Sequence, residues 1–154
     1  MKGFGIRGLL VVGAVAFAGS TGCGGDEDTT GAFIGAWKYT SGTSTTNSGG
    51  ITETDQLQGT ITISKGVSSP LVMIDGTCTL AMDVNGNTAS ARIPQECNQT
   101  EGGNNLNIKF TAYTFTVNGV VADDSGSATV QLSGGGGSVN CNYTQSAKLM
   151  KVSQ

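Results

Sequence analysis

Apolar side chains in this chain alternate with Thr, Ser and Asn through one run after another. A period of two puts every second residue on the same face of an extended backbone, so the pattern demands half-buried β-strands. The last run is the clearest. Val139, Cys141, Tyr143, Ala147 and Leu149 share one phase, and Asn140, Asn142, Thr144, Ser146 and Lys148 share the other. No segment outside the leader carries a helical period.

Three dipeptides, Asp75-Gly76, Asn85-Gly86 and Asn118-Gly119, punctuate the alternation. Type I′ hairpins need positive φ at both central residues, which favours Asn/Asp-Gly there. With these pairs as the loops, Leu71 faces Leu80 and Met73 faces Cys78. Met82 then faces Ala89, Leu80 faces Ala91, and Phe115 faces Ala122. Phe115 and Val117 are odd-numbered, whereas Leu106, Ile108 and Phe110 are even. One extra residue, a β-bulge near Thr111–Tyr113, restores the phase and sets Ile108 opposite Ala128 and Leu106 opposite Val130. Ile51 to Lys65 reads as one strand bent at Gly59. The expected strands are 36–42, 51–65, 70–74, 77–84, 87–94, 105–117, 120–133 and 138–152. The fold class is all-β, an antiparallel up-and-down meander of about eight strands. Closure into a barrel removes the exposed edges, and a two-sheet sandwich is the alternative.

Only 12% of residues are charged, about half of the usual share of roughly 25%. Eight basic residues, two of them (Lys2 and Arg7) in the leader, stand against eleven acidic ones, and there is no histidine. Ser-His and Cys-His catalysis are excluded, and the commonest zinc ligand is missing. No basic patch suggests nucleic acid. No Gly-x-Ser-x-Gly or Ser-x-x-Lys motif is present, so enzyme activity and cofactors are not expected. Glu53 and Asp55 share a strand face and are the candidates for contact with a cation or polar ligand at a barrel mouth. The simpler reading is a solvated strand end. Asp123-Asp124-Ser125-Gly126 has calcium-compatible oxygens but reads as a solvated loop segment at a kink. No metal site is expected. Trp37, Tyr39, Phe110, Tyr113, Phe115 and Tyr143 either fill the core or line a ligand cavity.

Residues 1–22 read as an export signal, with Lys2 and Arg7 before the apolar run Leu9 to Ala18. That run is too short to span a bilayer, which takes about 20 residues. Ser20-Thr21-Gly22-Cys23 resembles the lipobox of bacterial lipoproteins, with Ser where Leu is usual. The resemblance implies acyl chains on Cys23 and partnership with a membrane through that lipid. Gly24 lacks the acidic character of an inner-membrane retention signal, which by analogy favours the outer membrane. Residues 23–34 then form a small, acidic tether, and 35–154 the domain. Cleavage at Ala16-Phe17-Ala18 is the alternative and makes a soluble periplasmic or secreted protein.

Four cysteines are present: Cys23, Cys78, Cys97 and Cys141. Lipid on Cys23 leaves an odd count in an oxidising compartment. A Cys78–Cys97 disulfide closes the ends of the Asn85-Gly86 hairpin and leaves Cys141 as a buried thiol. Cys97–Cys141 stays open as an alternative.

Gly35-Ala36-Trp37 resembles the Gly-x-Trp opening of lipocalin-like (calycin) barrels. That resemblance implies that Trp37 plugs the closed end, that Lys151 packs over it in a cation–π contact, and that a small apolar molecule is the ligand. The chain is also similar to small Thr/Gly-rich lipoproteins of myxobacterial type. The similarity lies in Trp37-Lys38-Tyr39-Thr40-Ser41-Gly42, in Cys78-Thr79-Leu80 and in Asp83-Val84-Asn85-Gly86-Asn87-Thr88-Ala89. It implies another cysteine near Asn47 in relatives, whose absence here leaves Cys141 without its partner. The expectation is an exported, lipid-anchored envelope protein with a structural or interaction role. The alternatives are a lipocalin-like binder of an apolar ligand and a soluble secreted β-protein.

Overall fold

The structure is a computed structural model that describes residues 29–101, 103–134 and 137–153. Residues 1–28, and with them the export signal and Cys23, lie outside the described residues. A short 3₁₀ turn, Thr29–Ala32, precedes ten antiparallel strands. These are β1 (Gly35–Ser48), β2 (Ile51–Gln56), β3 (Thr60–Lys65), β4 (Leu71–Asp75), β5 (Cys78–Asn85), β6 (Thr88–Ala91), β7 (Gln95–Glu101), β8 (Asn104–Asn118), β9 (Val121–Gly134) and β10 (Gly137–Ser153).

Pairing runs β10-β9-β8-β6-β5-β4-β3-β1, and β10 pairs β1, so the ladder closes into a ring. β2 and β7 stand off the ring. β2 pairs the second half of β1, and β7 pairs the first half of β8. Two halves result. Near the start of β1 the ring is closed. Beyond it the long strands continue as an open sheet in the order β7-β8-β9-β10-β1-β2.

Alternation explains the closed half directly. Trp37, Ile61, Leu71, Leu80, Met82, Ala89 and Phe115 are fully buried. Large residues oppose small ones: Phe115 pairs with Ala89 on one side, and Val117 pairs with Ala122. The Trp37 and Phe115 rings meet edge to face at 5.2 Å. Each such side chain contributes about 1.5–3 kcal/mol by leaving water. Phe33 is also fully buried, and its carbonyl accepts a hydrogen bond from Trp37 Nε1 at 2.7 Å. Phe33, inside the 23–34 segment read as tether, therefore belongs to the packed core.

The strand between 51 and 65 is broken into β2 and β3 around Gly59, whose φ is 102°. Both pieces still pair β1, so the bend expected there is what the backbone makes. The bulge falls at Thr111, between Phe110 and Ala112.

The hairpin registers differ from the expected ones by two residues. Asp75 pairs Cys78, Asn85 pairs Thr88, and Asn118 pairs Val121. Glycine takes the first loop position, with φ of 57° at Gly76, 59° at Gly86 and 67° at Gly119. That is where two-residue II′ hairpins put glycine, whereas the expected registers had it second. Met73 therefore faces Leu80, Met82 faces Ala91, Ile108 faces Val130 and Leu106 faces Leu132. A shift of two keeps every side chain on its face, so the core composition is unaffected.

Two stretches of strand carry no alternation and were not expected. β1 runs on to Ser48 through a Thr/Ser tract, after a register shift between Tyr39 and Ser41. β7 follows β6 where the ladder with β5 ends. There the Gln95 side chain stands in for the missing strand, accepting from Ala81 N at 2.7 Å and donating to Ala81 O at 2.8 Å. The Cys78–Cys97 disulfide, with Cα atoms 5.3 Å apart, ties β7 to β5.

Candidate functional site

The boundary between the two halves carries the most unusual chemistry. Inward positions on three neighbouring strands supply Tyr113 (β8), Asp124 (β9) and Tyr143 and Gln145 (β10), and β1 adds Tyr39. Asp124 is 2% exposed, and it is held by donors on every side. Tyr113 Oη donates at 2.8 Å, Tyr39 Oη at 3.4 Å, and Gln145 Nε2 reaches both carboxylate oxygens at 3.0 and 2.9 Å. Tyr143 Oη donates to Gln145 Oε1 at 2.8 Å, which fixes the amide orientation. Gly126, paired with Tyr113, makes room for that ring: a Cβ on it would stand 2.8 Å from Tyr113 Cδ2.

A girdle of three tyrosines around a buried acid has predictable electrostatics. Burial holds the Asp124 pKa above the ordinary carboxylate value, and the bonds from Gln145, Tyr113 and Tyr39 offset only part of that rise. Burial and then the Asp124 charge push Tyr113 well above the ordinary phenol value. Tyr143 is pushed up to about 12, mainly by burial. Asp75, at the end of β4, is the second acid of this level. Water reaches its side chain, yet the protein crowded around it and then the Asp124 charge push it up to about 6.

The four hydrogen bonds of Asp124 tie β9 to β1, β8 and β10 across the interior, so it sets the geometry of this level. The reading of Asp123–Gly126 as a solvated loop is corrected here: all four residues lie in β9, and Asp124 points inward in phase with Ala122 and Ala128. That phase was the available signal.

Glu53 and Asp55 are on β2, opposite Thr46 and Ser44. Asp55 is half-buried and Glu53 exposed. They share the face of Ser44, with Gln145 on the next strand. Around β1 and β2 the inner face of the open half thus offers carboxylate, hydroxyl and amide groups, whereas across β7, β8 and β9 it is apolar, with Cys97, Leu106, Ile108 and Val130. Among the described residues no three Asp, Glu or Cys converge as a metal site would require.

At the closed end Lys151 Nζ stands 5.3 Å from the Trp37 ring centroid and donates to Ala32 O at 2.9 Å. Phe33, which sequence reasoning missed, sits beneath the same tryptophan. Cys141 is a half-buried free thiol, not a fully buried one. A shallow concavity of about 300 Å³ lies over β9 and β10, lined by residues including Thr40, Val121, Asp123, Lys148 and Met150. Comparison with known proteins finds no matching family model, no matching curated protein and no matching solved structure.

Proposed function

We propose that this chain is an exported protein of the bacterial cell envelope, held to a membrane, the outer one by analogy, through lipid on Cys23. It serves there as a non-catalytic interaction module. The leader, the lipobox-like Ser20-Thr21-Gly22-Cys23 and the acidic segment after it motivate the anchor. The observation that carries the module reading is the filled interior. Trp37, Phe115, Ile61, Leu80, Met82 and Leu149 occupy the closed half and are each at most 1% exposed. That packing favours recognition by the surface and the open half over an apolar ligand enclosed in the ring. Around β1 and β2 the inner face of the open half carries Ser44, Glu53, Asp55 and Gln145, which suit a polar partner, while Cys97, Leu106, Ile108 and Val130 keep its β7–β9 side apolar.

The anchor is tested by the intact mass of the mature protein taken from native membranes. Expected is a chain starting at Cys23 and carrying acyl groups, with one alkylatable thiol, Cys141. A chain starting at Gly19 without acyl mass, or Cys23→Ser protein that stays with the membrane, contradicts it. The module reading fails if delipidated protein enhances the fluorescence of an apolar dye saturably, which would restore the enclosed ligand.

A further inference from the structure

The large exposed apolar side chains are not scattered evenly. Nine occur among the described residues, and five of them gather at the closed end. Val67 lies in the β3–β4 connection and Val120 in the β8–β9 connection. Val121 pairs with Met150, and Val152 is the next outward residue of β10. In a meander, connections alternate between the two ends. These two therefore lie at the end where β1 begins and β10 finishes, which is also where the chain arrives from residue 28. Single exposed valines need no explanation, but several around one rim mark a surface that meets something apolar.

Charge is divided along the same axis. Lys38, Lys65 and Lys151 lie in the closed half. Asp75 and Asp124 lie at the girdle, and Glu53 and Asp55 beyond it. Asp83 and Asp123, the acids nearest the closed end, each face a base, Arg92 at 2.6 Å and Lys148 at 2.8 Å. The folded domain is thus a dipole with its positive pole toward the arriving chain. Asp26, Glu27 and Asp28 carry the opposite sign, so the charges orient the domain and do not supply a net attraction.

We infer that the closed end is a membrane-docking face: the rim formed by Val67, Val120, Val121, Met150 and Val152 rests on the phospholipid surface that holds the anchor, and the open half points away. The inference rests on the lipid anchor at Cys23. Its geometric support is reach. Thr29 is six steps along the chain from Cys23, and an extended chain covers at most about 3.5 Å per residue, so the closed end stays within about 20 Å of the bilayer. The open end, one barrel length further away, is left free for partners.

The experiment uses the full lipidated chain in vesicles of phosphatidylethanolamine and phosphatidylglycerol that carry a headgroup spin label. A fluorescent probe is attached through Val67→Cys, Val120→Cys or Ile51→Cys, each with Cys141→Ser. All three labelled sites are exposed, and Val152→Cys supplies a further closed-end site should either loop variant misfold. Expected is loss of probe fluorescence at 67 and 120 and none at 51. Equal loss at both ends, loss at 51 alone, or no loss anywhere in protein that floats with the vesicles overturns the docking face and leaves the anchor standing. Protein that does not float overturns the anchor, and the docking face with it.

Discussion

The closed and open halves are built from the same strands, yet they solve different problems. In the closed half each of the ring's eight strands has two neighbours, and its inward side chains are Trp, Phe, Ile, Leu and Met. In the open half β2 and β7 are edges, and the inward set is mixed: Asp55, Cys141, Tyr143 and Gln145 are half-buried, whereas Ser44, Cys97, Leu106, Ala128 and Val130 are buried. Closure removes edges and makes a dry core. An open sheet keeps one face available but must protect its edges. Here the protection is local: a disulfide and the Gln95 amide secure β7, and an Asn47–Thr52 side-chain bond of 2.8 Å helps to hold β2. Stability therefore concentrates at one end and accessible polar groups at the other. The Asp124 girdle is the seam.

The sharpest way to break that contrast is truncation. Trp37→Ala should cost about 4 kcal/mol, because it empties the centre of the closed half. Ile108→Ala, half-buried in the open half, should cost about 1.5 kcal/mol. Equal costs in urea unfolding would erase the distinction between the halves. Next in size is the disulfide. Its cysteines are 19 positions apart, and opening such a loop should cost about 3 kcal/mol by the chain-entropy argument. The loss should appear first as faster amide exchange in β7, with the closed half unchanged.

Asp124→Ala probes the seam. Removing the carboxylate strands the Tyr113 and Gln145 donors, at a cost of about 2 kcal/mol in thermal or urea unfolding. Asp124→Asn, which keeps an acceptor, should cost less. The smallest effect is a pH dependence. The folded Asp75 carboxyl is raised from 3.8 to about 6. The fold therefore binds this proton more tightly than the unfolded chain does. Its contribution is fully present below pH 3.8 and is lost as pH rises through about 6. Asp75→Asn should flatten the stability profile between pH 4 and 6 and make the protein more stable than the parent at pH 7. An unchanged profile would remove Asp75 from the seam.

The closed half was legible because alternation of large apolar residues has one physical meaning. Even the two-residue register error at the hairpins preserved the inward set of Leu71, Met73, Leu80 and Met82. The Thr111 bulge could be read for the same reason: apolar markers on both sides of it change parity. The register shift near Thr40 could not, because Ser, Gly and Thr follow it and mark no face. β7 was invisible because Cys97 is its single apolar residue. The girdle was readable in part. Tyr39, Tyr113 and Tyr143 are recognisable in the sequence as core or cavity aromatics, whereas the charge of Asp124 masks the inward phase it shares with Ala122 and Ala128. Phe33 lies ahead of β1 and of the tryptophan motif, where no alternation marks it as core.

Amide hydrogen exchange on the folded protein, resolved by residue, tests the division most directly. The slowest amides should be those of Ile61, Ile63, Leu80, Met82, Phe115 and Leu149, opening only with global unfolding, while β2 and β7 exchange far earlier through local opening. Uniform protection across both halves, or β2 and β7 protected as well as the ring, would contradict the account of a packed closed end carrying an open, accessible one.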